Sequence, residues 1–476
     1  MIATLADSLT RGIEGVAATV SETLFEPVVR LGVTGLSRAG KTVFITSLVA
    51  NLLDRGRMPQ LSAAASGAIE AVWLQPQPTL TLPRFDYEGH LAALTGAEPR
   101  WPESTRSISE LRLSFRIRPG GIFGGLRGAV TGPRIVHLDI VDYPGEWLLD
   151  LRLIGKSFAD WSAEVLGRAD GLAEATAFRE HLAHTDPGAR HDEAVASALA
   201  ESYRGWLGAA RAAGMSDTTP GRFLLPGEFD GSPVLTFAPL PPASGRVPRG
   251  SLRAEFERRF EGYKSRVVAP LFREHFARID RQVVLADVLG ALHAGPAALE
   301  DLRRALAGIL TAFRPGQAAW LTRLLGARRV ERILFAATKA DHIHHTQHAR
   351  LAAIAEALLR EARDRARFAG ARTMALAIAS LRATTEKTRV HDGRQLDCVQ
   401  GRLQGTGRLA AFWPGELPQD PSVVLTPARE GATIWPAGEY GAMAFAPAPL
   451  SLRPDEGPPH IRLDRAAEFL IGDRLR

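Results

Sequence analysis

Three features of this 476-residue chain predict an α/β fold: a mostly parallel, doubly wound sheet with one antiparallel strand, a helical insertion and a small β-rich C-terminal addition. Apolar strand-like runs alternate with helical patterns in 25–146 and again in 281–385. Between them, 147–280 reads as mostly helical, which places an insertion inside one sheet domain. Leu31–Leu48 reads as a buried strand, a glycine-bounded loop and a helix start in immediate succession.

Residues 1–24 set Ile2, Leu5, Leu9, Ile13, Val16, Val20 and Leu24 at three- and four-residue steps, the stripe of an amphipathic helix. Packing onto its own domain is expected. A membrane surface or a second copy of the chain is the alternative, although the opposite face is poor in basic residues.

The loop after the first strand contains Gly35-x-x-x-x-Gly40-Lys41-Thr42, the phosphate-binding pattern. Its glycines let backbone N–H groups approach an anion at a helix N-terminus, so Ser37, Arg38, Ala39, Gly40, Lys41, Thr42 and Val43 are the expected phosphate contacts. Lys41 would reach the β- and γ-phosphates, and the Thr42 hydroxyl is the expected magnesium ligand. The helix should run to about Leu53. The loop is similar to that of guanylate-binding proteins, in which the equivalent arginine serves as an internal finger, and that resemblance implies a catalytic role for Arg38, stabilising transition-state charge in cis, with dimerisation or partner binding as the trigger. A surface arginine paired with a local carboxylate is the plainer reading.

A polar, proline-punctuated stretch through Pro83 to Pro102 leads into Trp101-Pro-Glu-Ser-Thr-Arg-Ser107. The loop over the γ-phosphate should lie here, and Thr105 is the expected catalytic and magnesium-binding hydroxyl, with Ser104 and Ser107 as rivals and simple capping as the alternative. In 107–118, Leu111, Leu113, Phe115 and Ile117 alternate with polar residues, and 134–141 forms a second strand. The glycine-rich 119–133 makes the two an antiparallel hairpin.

That second strand runs into Asp142-Tyr143-Pro144-Gly145. An aspartate at a strand's carboxyl end, with glycine three residues on, suits magnesium binding by Asp142 and γ-phosphate sensing by Gly145, although the same letters also describe an ordinary turn. Glu146 stands where small GTPases carry a water-orienting glutamine. Its charge repels a γ-phosphate, so it is expected to cap the next helix, and intrinsic hydrolysis should be slow.

Within 147–280, Asp192–Ala213 and Ser251–Ile279 are patterned as helices separated by the loop-like Thr218–Pro248, and the proline-rich Leu235–Pro242 with its surroundings should be an ordered surface connection. The sheet resumes with the apolar run Gln282–Leu289, a helix over Ala297–Phe313 and a strand over Val330–Ala337. The last ends in Thr338-Lys339-Ala340-Asp341, the guanine-recognition signature of GTPases. A carboxylate at Asp341 accepts from N1–H and the exocyclic amine of guanine, whereas adenine offers an acceptor at N1; Lys339 would lie along the base. A helix over 346–368 and a strand over Thr373–Ala379 lead to Ser380-Leu381, a loose match to the loop whose backbone N–H meets the guanine oxygen. His344 and His348 stand one helical turn apart, a spacing that invites a metal, but no separate pair of ligands is evident. Residues 386–476 read as short strands and loops closed by a helix over Leu463–Leu475.

Composition narrows the function. Net charge is +6, yet the arginines are spread among acidic residues, so nucleic acid is not an expected partner. Only five lysines occur, and Lys41 and Lys339 both fall in nucleotide motifs. The single cysteine, Cys398, excludes an intrachain disulfide and a cysteine zinc site. No apolar run approaches the ~20 residues needed to span a bilayer, and a cytoplasmic location is expected.

The whole chain resembles the YcjX family of bacterial stress-associated P-loop GTPases. The resemblance rests on Gly35–Thr42, Trp101–Glu110, Asp142–Asp150, Asp287–Leu289, Thr338–His342, Phe412–Gly415 and the C-terminal helix. It implies a Ras-like core with helical and β-rich additions, GTP and GDP binding with Mg2+, and association with envelope-stress systems and a membrane-protein partner. The expected function is a slow, magnesium-dependent GTPase acting as a stress-related switch. A nucleotide-stabilised scaffold that recruits an envelope or membrane-protein partner through the insertion or the N-terminal helix, at the inner face of the membrane, is the alternative.

Overall fold

The computed structural model describes residues 26–36, 38–103, 107–118, 133–274, 276–311, 330–368, 370–436 and 438–476. The helix expected in 1–24, and Ser37, Ser104 and Thr105, lie outside the described residues.

Seven strands form one sheet: β1 (Val28–Gly35), β2 (Ile69–Gln75), β3 (Ser109–Ile117), β4 (Arg134–Asp142), β5 (Arg281–Ala286), β6 (Arg332–Ala337) and β7 (Arg372–Ala377), in the order β2-β3-β4-β1-β5-β6-β7. β4, β1, β5, β6 and β7 run parallel, and β3 is antiparallel to both its neighbours. The hairpin read from the sequence is β3–β4, with Leu113 opposite Leu138 and Phe115 opposite Val136. β2 is an edge strand where the sequence reading had only a polar connection.

Alternation along the central strands gives the sheet two apolar faces. Val283, Leu285, Leu334 and Ala336 lie in a core that also contains α1 (Lys41–Leu53). Their neighbours Val284, Ala286, Ile333 and Phe335 lie in the opposite core, with the helices Pro296–Thr311 and His348–Leu358.

Between β4 and β5 the chain forms α2 (Gly145–Leu149), α3 (Phe158–Ala169), α4 (Glu193–Ala212) and α5 (Leu252–Tyr263), and no strand among the described residues. α3, α4 and α5 bury a core of their own, in which Trp161 stacks on Phe260 with ring centroids 5.0 Å apart, whereas Trp147, Leu148 and Leu149 of α2 belong to the core on the sheet. The proline-rich connection runs over the surface only in part, with Pro241–Arg246 exposed. Leu235, Phe237, Ala238 and Leu240 are buried in this core, because aromatic residues from the helices supply the apolar lining the segment needs. The helix expected over Ser251–Ile279 continues past Tyr263 through a π-helical segment, Lys264–Val268, into Ala269–Glu274, and a 3-10 turn over Phe276–Arg278 follows.

After β5 come α6 (Val288–Ala294), α7 (Pro296–Thr311), α8 (His348–Leu358), α9 (Arg360–Phe368) and finally α10 (Leu463–Ile471). The single helix expected over 346–368 is two helices, with the break at Leu359. α10 buries Leu463, Ala466, Ala467 and Leu470 in the same core as α1. It is fixed there by the fully buried Arg281, whose Nε donates to Leu470 O at 3.0 Å. A separate antiparallel sheet consists of β8 (Thr384–His391), β9 (Arg394–Arg402) and β10 (Leu409–Phe412), in the order β10-β9-β8.

Candidate functional site

Because β1, β4, β5, β6 and β7 are parallel, the turns at their carboxyl ends all leave one edge of the sheet. Those turns are the Gly35–Thr42 loop, Asp142–Gly145, Asp287, Thr338–Asp341 and Ser380-Leu381. That is where ligands bind in open α/β sheets.

Local backbone chemistry shapes the first loop. Arg38 and Gly40 have φ of 64° and 75°, so the chain turns through two left-handed positions before α1. Gly40 is the N-cap of α1, no side chain caps it, and the first turn carries no acidic residue. The first turn of α1 thus brings no anion of its own to the positive end of the helix. Gly35 is pinned from below: a Cβ there would meet the Leu285 Cβ at 3.0 Å and the Ala39 Cβ at 3.2 Å.

The structure brings Lys41 and Asp142 together, with Nζ 2.6 Å from Oδ1. Asp142 is 1% exposed, so this is a nearly dry ion pair at the mouth of β1 and β4. Gly145 packs directly on the phosphate-type loop: a Cβ there would stand 2.5 Å from Gly35 O and 3.1 Å from Leu36 N. Tyr143, between them, donates its hydroxyl to Gln282 Oε1 at 2.5 Å. Gly32 makes room for that bond, since a Cβ on it would lie 2.5 Å from Gln282 Oε1 and 2.8 Å from the Tyr143 hydroxyl. Burial raises the Tyr143 pKa well above its ordinary value, so the phenol stays a donor. Thr42 is buried and Val43 half-buried, both in the first turn of α1, and Ala39 is buried beneath the loop. The hydroxyl of Thr42 and the carboxylate of Asp142 are hard oxygen donors, and with the uncapped helix end they fit a nucleotide-bound Mg2+ by chemistry. Arg38 is exposed, and among the described residues no carboxylate pairs with it.

At the other end of the edge, Asp341 is buried and its Oδ2 accepts the Ala383 N–H at 2.8 Å. Its backbone oxygen also accepts from the Thr384 hydroxyl. Ala340 N–H donates to Ile378 O at 3.0 Å, and Thr338 N–H to Ala286 O at 3.0 Å, which ties the β6 turn to β5 and β7. Buried Ser380 and Leu381 stand in the turn beyond β7, between Ile378 and Ala383. Lys339, at φ 59°, pairs through Nζ with Asp287. Asp287 is also the N-cap of α6, accepting from Gly290 N–H at 2.9 Å. The sequence reading assigned neither Asp287 nor Gln282 a role. Asp287 ends a strand next to the guanine-type signature and precedes glycine by three residues, and that was the available signal.

Glu146 does not cap α2. Its carboxylate meets Arg211 Nη2 of α4 at 3.2 Å, and the glutamate is 4% exposed. Next to it, the Arg222 guanidinium lies over the Trp147 ring, 3.4 Å from the centroid. Asp150 accepts Gly221 N–H at 2.9 Å and the Tyr263 hydroxyl at 2.5 Å. Burial pushes the Asp150 carboxyl up to about 7. One short helix thus joins Gly145 to the helical core. His348 is also taken up structurally, with Nε2 2.7 Å from Ala340 O and Nδ1 3.2 Å from Arg462 Nη1.

Residues 29–475 match the family model described as the YcjX-like family, DUF463. The chain belongs to that family. It is 36% identical over 460 residues to a Ras-like GTPase YcjX from Escherichia coli strain K12, covering 94% of this chain and 96% of the relative. To a second Ras-like GTPase YcjX, from Shewanella oneidensis, it is 35% identical over 475 residues, 94% of each chain. The mostly parallel sheet with one reversed strand is the core expected of this family. No helix among the described residues is long and apolar enough to cross a membrane.

Proposed function

We propose that this chain binds GTP and GDP and hydrolyses GTP slowly with Mg2+, as a nucleotide-dependent switch. The observation that carries the proposal is the shared sheet edge, where Lys41 touches Asp142, Gly145 rests on Gly35, and Asp341 is held in place by Ala383. The uncapped N-terminus of α1 and Lys41 would receive the phosphates, and Asp341 and the Ser380-Leu381 turn would read the base. Thr42 and Asp142 would hold Mg2+, which when bound neutralises phosphate charge. Gly145, closed against the phosphate loop, is the position from which a γ-phosphate would be felt.

Slow turnover follows from Glu146. Its side chain is committed to Arg211, so it neither orients a water nor relieves phosphate charge. Arg38, exposed beside the loop, is the residue we assign to supply that charge when a partner or second copy orders it. The commitment of Glu146 also supports a second reading, in which nucleotide stabilises a scaffold for an envelope-stress or membrane-protein partner and hydrolysis is incidental. We further propose that 147–280 and 386–476 act as added domains around a core of 25–146 and 281–385.

Calorimetry of GTP, GDP, ATP and xanthosine triphosphate with magnesium, on wild type and Asp341→Asn, tests the assignment. Guanine nucleotides should bind wild type. The mutant amide donates where the carboxylate accepted, and should shift preference towards xanthine, whose C2 oxygen is an acceptor. Equal binding of ATP to wild type would remove Asp341 as the base reader. Partner binding that persists in a folded Lys41→Ala protein with no nucleotide bound favours the scaffold.

A further inference from the structure

We propose that His344, His345 and Glu386 form a binding site for a first-row divalent metal ion of the zinc type, joining the loop after β6 to strand β8. The Glu386 carboxylate is already oriented. Its Oε1 accepts the His345 backbone N–H at 3.0 Å, which turns Oε2 towards two imidazoles, His345 Nδ1 at 2.8 Å and His344 Nε2 at 3.7 Å. One donor atom from each residue lies within 4.8 Å of the other two. Zinc bond lengths put neighbouring tetrahedral donors about 3.3–3.5 Å apart, a spacing that the two Glu386 distances bracket.

Electrostatics favour a shared cation over two separate ion pairs. The rings of His344 and His345 lie 4.2 Å apart, so charging both imidazoles sets two cations against each other. A single metal ion uses both rings in their neutral form. His344 is prepared for this, because its Nδ1 lies 2.9 Å from the Thr346 hydroxyl and 3.6 Å from Asp397 Oδ2. With Nδ1 donating there, Nε2 keeps its lone pair, the outer-sphere arrangement that commonly orients a metal-binding histidine. His345 is exposed, which leaves the fourth position to water. Two imidazoles suit zinc, copper, nickel or cobalt over magnesium. His348, the partner that helical spacing suggests for His344, is held by Ala340 and Arg462 instead.

The test uses full-length protein stripped with a chelator and titrated with Zn2+ in the presence of excess magnesium and GDP. Wild type should take up one equivalent, with a rise in melting temperature, and Co2+ should give the visible absorption of a tetrahedral site. His344→Ala and Glu386→Gln should each abolish the stoichiometric uptake. Asp397→Asn, which acts through His344, should weaken it by about 10- to 100-fold. His391→Ala, on an exposed histidine that pairs, among the described residues, with Asp392, should leave it unchanged. The proposal fails if wild type shows no saturable equivalent, or if uptake survives Glu386→Gln. Should His344→Ala not fold, Glu386→Gln decides alone, since its side chain is partly solvent-facing and its loss uncovers no core.

Discussion

Gly145 has no room for a side chain, and the obstacle is backbone. An added Cβ would press on Gly35 O at 2.5 Å and on Gly35 C at 2.8 Å, neither of which can rotate away. Gly145→Ala should therefore push the phosphate-type loop outward, costing about 1–3 kcal/mol in urea unfolding and weakening nucleotide binding measured by calorimetry. Unchanged affinity would show that the loop tolerates displacement and that Gly145 does not gauge it. The motif letters marked this glycine, but not its contact. Nor did they mark Gly32 or Gln282, because a glycine inside a strand and a buried glutamine look unremarkable until Tyr143 is seen to need both.

Among the elements, the β3–β4 pair carries a dry ion pair. Arg112 Nε and Nη2 meet Asp139 Oδ1 and Oδ2 at 2.6 and 2.9 Å, with Asp139 fully buried. Asp139→Ala removes the carboxylate that meets Arg112 through two bonds and should cost about 3–5 kcal/mol in chemical denaturation. A loss near zero would mean that water reaches Arg112. The α2 helix carries a different charge problem at Asp150, whose carboxyl burial raises to about 7 against neighbouring Arg222 and Arg152. The folded state binds that proton more tightly than the unfolded chain, so the contribution is complete below about pH 4 and is lost as pH rises towards 7, at up to about 1.4 kcal/mol per pH unit. Asp150→Asn should remove this slope from stability measured between pH 4 and 7, and an identical slope in both proteins would place the proton elsewhere.

Elements with strong periodicity were legible in the sequence: α1, the β3–β4 hairpin and β6 lie within two residues of their expected places, and β1 begins three residues before the expected Leu31. β2 was not, because a bulge between Ile69 and Ala71 breaks its period of two and its edge position leaves it half-buried. α6 was hidden for another reason: Gln282–Leu289 is one apolar run, and only the Asp287 cap divides strand from helix. The candidate site was legible as loops, since its chemistry is local, whereas its bracing by Glu146, Asp287 and Asp150 depends on partners 52 to 113 residues away.

For the whole molecule, that bracing decides how a nucleotide could be felt outside the sheet. α2 begins on Gly145 and ends on Asp150, and every polar side chain along it points into the helical core: Glu146 to Arg211, Asp150 to Gly221 and Tyr263. Gly221 leaves no slack, because a Cβ there would lie 2.6 Å from Glu146 O. A shift of Gly145 on a γ-phosphate must then move α2 as a unit or break these buried contacts, and both change the protection of α4 and the 217–224 segment. Hydrogen exchange with a non-hydrolysable GTP analogue and with GDP should differ in those two segments. The paired variant Arg211→Ala with Arg222→Ala removes the ion pair to Glu146 and the guanidinium over Trp147 without touching the sheet edge. It should keep nucleotide affinity while the exchange difference shrinks, which separates coupling from binding. If the difference persists in the variant, α2 is not the link, and any nucleotide signal reaches the helical core by another route.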